Sequence, residues 1–267
     1  MYFDASLDPF KIEFLRPDEL RGRIDACPVA FVPLGTLEWH GHHNPIGLDA
    51  LKAHGVCLHA AQRLGGGVVL PPCYDTGLVT PMYQKEPQHF GSLMTMHLTS
   101  RGVIEDTLVN LERTGFKVVL FYGGHYPAAR LAELIARDYA TEMEVRSFME
   151  RTVAATDRVG DHAGFVETSL MMALLPDHVD LDRIRRRHPD NLYDDPLEGI
   201  SESDRPVVTA NVEDGRALLA AIAEELAAVC RDLLAKQGGR PTRVNYVGHE
   251  RHGSVGADSR TSRDSVT

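Results

Sequence analysis

The chain is short of the residues that staple a small fold or span a membrane. It has one tryptophan and only four cysteines in 267 residues. Cys27, Cys57, Cys73 and Cys230 stand singly, with no C-x-x-C pair. That argues against a cysteine zinc site and against a disulfide framework. No apolar run approaches the roughly eighteen residues that a membrane helix needs. Positive charge is also scarce. Lysine and arginine total 28 against 38 acidic residues, for a net charge of -10. Phosphates would repel such a chain, so nucleic acid is not an expected partner. The opening "MYFDASLDPFKIEFLRPDEL" mixes acids with aromatics, unlike a signal or transit peptide. The expectation is a reduced, soluble, cytoplasmic protein.

What is present is a rhythm of short apolar runs and helical patterns. "PVAFVPLG", "GVVLPPC", "KVVLFYGG" and "EVRSFME" read as strands. Between and after them, "LDALKAHGVCLHAAQRLG", "TSRGVIEDTLVNLERTG", "HYPAARLAELIARDYA", "VETSLMMALL" and "NVEDGRALLAAIAEELAAVCRDLLAK" read as helices. Thr99 is the expected N-cap of the second of these, and Gly115 its stop. Alternation of this kind predicts an α/β fold. It is a single domain, a three-layer sandwich with a mostly parallel sheet and helices on both faces. The domain is expected over residues 1–247. The tail over 248–267 has almost no hydrophobic residues and is expected to be disordered. A polar excursion from Arg185 to Pro206 reads as a lid, an oligomer contact or a solvated loop.

Chemistry concentrates at the expected strand ends, where ligands bind in such folds. "GTLEWHGHHNPIGLDALKAH" holds four histidines, a glutamate and an aspartate in twenty residues. Glu38 and His40 follow the first strand, and an i, i+2 pair in extended backbone points to one side. Asp49 lies at the start of the next helix, where a carboxylate is favoured. It is read either as a helix cap or, with Glu38 and His40, as part of an oxygen and nitrogen ligand set suited to zinc or manganese. His125 follows the third strand in "FYGGHYP" and falls on the same edge of the sheet. "GDHAGFVETS" adds Asp161, His162 and Glu167, with Glu167 opening an apolar helix. A buried carboxylate there would need a partner.

These three clusters resemble the creatininase (creatinine amidohydrolase) family. The family pattern G-S/T-x-E-x-H-G-x-H-x-P-x-G-x-D is matched by "GTLEWHGHHNPIGLD" without a gap, N-G-H by "GGH", and H-A-G-x-x-E-T-S by "HAGFVETS". The matches run from Val32 to Leu175. The resemblance implies two divalent metal ions, zinc and/or manganese with iron a third option. It implies Glu38, His40, Asp49 and His125 as ligands, with Asp49 bridging, and places Glu167 at the metal centre. It sets His162 beside the substrate, where Asp161 would orient it or share its acid–base role. Trp39, Tyr126 and His89 are candidate substrate contacts. The family pattern also implies a small-molecule substrate and a ring-like homo-oligomer, often a hexamer.

Two departures qualify the match. Creatininases proper read N-G-H-Y-E-N after the third strand, and that glutamate is a ligand. Here Pro127 stands in its place and Gly123 replaces the asparagine. Glu167 is then the expected substitute ligand, and creatinine is not assumed as substrate. The resemblance implies a metal-dependent amidohydrolase in which a metal-activated hydroxide attacks an amide, formamide or cyclic amide. Alternatives are ring opening of another cyclic carbonyl compound, or a non-catalytic metal-stabilised member.

Overall fold

A computed structural model describes residues 5–78, 91–157, 160–185, 200 and 204–237. The order is α1 (Pro17–Ala26), β1 (Val29–Leu34), α2 (Leu48–Leu64), β2 (Val68–Val69), α3 (His97–Thr114), β3 (Val118–Gly123), α4 (Tyr126–Asp138), β4 (Glu144–Phe148), α5 (Phe165–Leu174), α6 (Asp182–Arg185) and α7 (Val212–Gln237). The four strands form one parallel sheet in the order β2-β1-β3-β4. β1 and β3 lie at the centre, paired in register from Val29 against Val118 to Leu34 against Gly123.

Why these strands are apolar throughout follows from the layers on either side. Successive residues of a strand point to opposite faces. Val29 and Phe31 of β1, with Val118, Leu120 and Tyr122 of β3, pack against α2, α5 and α7. Ala30, Val32 and Leu34, with Val119 and Phe121, pack against α1, α3 and α4. Both faces are covered, so both sets must be hydrophobic. Each fully buried large side chain among them contributes roughly 1.5–3 kcal/mol from apolar burial. The α/β class, the parallel sheet and the helices on both faces are as the sequence predicts.

Two boundaries differ from expectation. β2 is only Val68–Val69, because Pro71 and Pro72 have no N–H to donate to a ladder. The α3 helix starts at His97 with Met96 as N-cap, so Thr99 sits inside its first turn. Gly115 ends α3 in a left-handed conformation at φ 107°, as expected. The tail beyond residue 247 lies outside the described residues, as does most of the Arg185–Pro206 excursion. No described helix is long and apolar enough to cross a membrane.

The strand order places the site. From β1 the chain moves outward to β2, then returns across to β3 and on to β4. It therefore reverses direction between β1 and β3, and a crevice opens beyond their carboxyl ends. Two glycines let α2 press into that crevice. A Cβ on Gly35 would lie 2.3 Å from the Ala50 nitrogen, and one on Gly124 would lie 2.0 Å from the Asp49 carbonyl oxygen. Only glycine tolerates such contact, and the first turn of α2 is thereby brought against both strand ends.

Candidate metal centre

Glu38 and His40 arrive on the loop after β1, Asp49 on the first turn of α2, His125 after β3, and Glu167 on the first turn of α5. The structure brings all five together. His125 Nδ1 lies 3.0 Å from Glu38 Oε2 and 3.3 Å from Asp49 Oδ2. His40 Nε2 lies 3.2 Å from Asp49 Oδ1 and 3.6 Å from Glu167 Oε2. Asp49 thus turns one carboxylate oxygen to each histidine. Two triads that could each hold an ion share it: Glu38, Asp49 and His125, and His40, Asp49 and Glu167.

The donor chemistry fits divalent ions. His40 Nδ1 lies 3.0 Å from the Glu38 carbonyl, and His125 Nε2 lies 3.1 Å from the Gly77 carbonyl. An N–H on each of those nitrogens leaves the other ring nitrogen, the one facing the carboxylates, with a lone pair. Metal-ligating histidines are oriented in this manner. His40 Nε2 and Asp49 Oδ2 are buried and make no hydrogen bond among the described residues. Such atoms in a native fold call for an explanation, and an ion between them supplies one. Asp49 does not cap its helix; its carboxylate faces the two histidines.

Charge in the centre is arranged to suit cations. Burial alone would lower the pKa of His40, but Asp49, Glu167 and Glu38 outweigh it and push it up to about 9. Burial likewise opposes protonation of His125, yet Asp49 and Glu38 raise it to about 10. For Asp49 burial acts to raise the pKa, and the two histidines pull it well below the ordinary carboxylate value. Protons here do what an ion would do, which is to neutralise carboxylates that water cannot reach.

Glu167 is held at both oxygens. Oε1 accepts from Lys52 Nζ at 2.5 Å, and Oε2 accepts the Ala163 N–H at 2.8 Å. Ala163 adopts φ 54°, a left-handed conformation unusual for a residue with a Cβ. Bonds on both sides hold it there, because its carbonyl lies 3.0 Å from the buried His43 Nε2. Pro127 lies in the first turn of α4, where its missing N–H costs nothing. It adds no ligand.

The remaining expected residues divide. His162 brings a ring nitrogen near Glu38 and His40, and its ring lies 4.4 Å from that of His40. Its Nε2 is 3.0 Å from the Trp39 carbonyl. Asp161 does not orient it, contrary to expectation. The Asp161 carboxylate instead accepts the Val166 and Glu167 N–H groups at 2.7 and 3.2 Å, which caps α5. Adjacent residues point apart here because one is needed at a helix terminus. Burial and the nearby Glu167 raise Asp161 to about 7. Trp39 is 9% exposed and stacks edge-on against His42. Tyr126 turns its ring between Lys52 and Arg151 and buries its hydroxyl. His89 lies outside the described residues.

Sequence reasoning missed Lys52 and Glu150, both fully buried beside the centre. A signal existed for each. Lys52 is three residues past Asp49 and so shares its helix face. Glu150 stands just beyond β4, again at a carboxyl end.

Comparison with known proteins shows the family. The model of the creatininase family, described as creatinine amidohydrolase, matches residues 13–230. A creatinine amidohydrolase of Pseudomonas putida is 30% identical over 181 residues, covering 58% of this chain and 68% of that one. A solved glutamine mutant of creatininase, of Zn-Zn type, aligns with a TM-score of 0.64 at 26% identity, over 84% of this chain and 97% of that one. A manganese creatininase aligns with a TM-score of 0.61 at 25% identity, over 84% and 98%. The chain therefore falls in a class of hydrolases with a parallel α/β fold, and it carries groups that could hold metal ions. More particularly, the chain belongs to the creatininase family, whose members are hydrolases of carbon–nitrogen bonds other than peptide bonds.

Proposed function

We propose that the protein is a two-metal amidohydrolase acting on an amide, formamide or cyclic amide of a small molecule. The observation that carries this reading is Asp49, whose two buried oxygens face two separate histidines. Glu38, Asp49 and His125 would hold one ion; His40, Asp49 and Glu167 the other. Zinc or manganese suits these ligands, and both occur in the related creatininases. Two divalent charges would face three carboxylates, with Lys52 and Glu150 cancelling each other beside them. When bound, the ions would supply a Lewis acid for the carbonyl and lower the pKa of a nucleophilic water.

The chain's own groups would do the rest. Ligands buried on α2 and α5 keep bulk water from the rear of the centre. His162 is partly exposed and tethered through Nε2, so Nδ1 is the atom that would pass a proton to the leaving nitrogen. Asp161 would serve the centre through α5 instead, by fixing the helix start that carries Glu167. Trp39 and Tyr126 would wall the substrate. Assembly into a homo-oligomer, a hexamer by family likeness, belongs to the same proposal. Elemental analysis of the purified protein should find two equivalents of divalent metal, and a screen of lactams, formamides and cyclic ureas should find one hydrolysed. A protein free of metal, with full activity in chelator, would overturn the reading.

A further inference from the structure

Lys52 makes an unusual set of contacts for a lysine. It is wholly buried on α2, and a buried ammonium has three donors to satisfy. It donates to Glu167 Oε1 at 2.5 Å and to the Gly124 carbonyl at 3.4 Å, and it pairs by charge with Glu150 Oε1 at 3.1 Å. Those acceptors come from the start of α5, the turn after β4 and the turn after β3. One side chain therefore ties together three of the segments that surround the centre. Glu150 has no other role in view. Its buried carboxylate lies against the Tyr122 hydroxyl and serves as a counter-charge to Lys52.

We propose that Lys52, seated by Glu150, is a positioning residue that makes Glu167 a metal ligand in place of the carboxylate absent at Pro127. By occupying Oε1 it leaves Oε2 as the oxygen facing His40 Nε2 at 3.6 Å. The Ala163 amide fixes the same oxygen from the other side at 2.8 Å. With both oxygens tethered, the carboxylate cannot swing away from His40, and its side-chain freedom is lost before any ion arrives. The inference rests on the two-ion reading and concerns only the ion at His40, Asp49 and Glu167. Among the described residues Lys52 forms no ion pair with Glu38 and no hydrogen bond with the His125 ring, so the other ion should be affected far less.

The test is a calorimetric titration of the chelator-stripped full chain with manganese, read beside a thermal melt. The variants are Lys52→Met, Glu150→Gln, and both together. The double variant removes one charge of each sign, so the centre's net charge is unchanged and folding is favoured. Wild type should take up two ions. The double variant should keep the first within about threefold in affinity and weaken the second by tenfold or more. Glu150→Gln, the mildest change, should weaken the second ion alone by a smaller factor; it carries the test if the others do not fold. A folded double variant that binds both ions as wild type does, or that weakens both equally, would overturn the inference. Wild type binding a single ion would overturn the two-ion reading itself, and this inference with it.

Discussion

The two halves of the candidate metal centre are built differently. Glu38, Asp49 and His125 come from strand ends and one helix turn, and the backbone alone orients them. His125 needs only the Gly77 carbonyl behind it, and Glu38 keeps 21% of its side chain exposed. The half formed by His40, Asp49 and Glu167 is fully enclosed. It is flanked by a buried lysine, a buried second glutamate and an alanine in left-handed conformation. A ligand carried by a strand end is placed by the sheet. A ligand carried by a helix on one face must be placed by other side chains, and charge is costly to bury without them.

Asp49 is shared, so its loss should break both halves. Asp49→Ala should abolish binding of at least one ion and reduce hydrolysis by about a thousandfold or more, since several kcal/mol of charge stabilisation go with it. Wild-type metal stoichiometry in that variant would refute the shared role. Glu167→Gln should strike only the enclosed half. It preserves shape, so one ion should be lost or weakened and turnover should drop about a hundredfold. Were Glu167 only a structural partner of Lys52 and the Ala163 amide, both ions would be retained and stability alone would fall, by about 3 kcal/mol. Metal analysis and a melt on one sample separate these outcomes.

Stripping the ions should expose the difference between the halves and the rest of the fold. Ligand at about a hundred times its dissociation constant adds roughly 2.7 kcal/mol, so excess zinc or manganese should raise the melting temperature by about 5–10 °C over the chelated protein. An unchanged melt would mean that no ion binds the folded state preferentially.

Acid should reveal a contrast along α2 itself. Asp49 and Lys52 sit in its first turns, and His54 lies further along, 2% exposed. Burial, with Lys11 nearby, lowers His54 to about 4. Its folded pKa lies below the unfolded value near 6.5, so the unfolded chain binds the proton first. Stability from this group is present above pH 6.5 and is lost as pH falls toward 4, by roughly 3 kcal/mol. His54→Gln should flatten that part of the pH–stability curve measured on chelated protein. A curve as steep as wild type would discount His54. The smallest effect is expected at Tyr126→Phe. The hydroxyl is buried without a bond among the described residues, so its removal should change stability by less than about 1 kcal/mol. A clear rise in KM alone would instead mark it as a substrate contact.

The amino-acid sequence by itself determined the alternation of strands and helices, and the parallel sheet follows from that alternation. Strands apolar at every position can only be covered on both faces, and glycine at each strand end lets the next helix come close. It also carried the five candidate ligands, three in loops that follow strands and two in the first turns of helices. Only the tertiary structure decided which neighbours support them. Asp161 and His162 are adjacent in the chain, yet one caps α5 and the other faces His40. Lys52 and Glu150 are ninety-eight positions apart by number and read separately as ordinary surface charges, about a quarter of the chain being charged. Their pairing with Glu167 depends on β4 and α5 closing over α2. A buried charge is defined by what stands opposite it, and no local pattern in the chain records that.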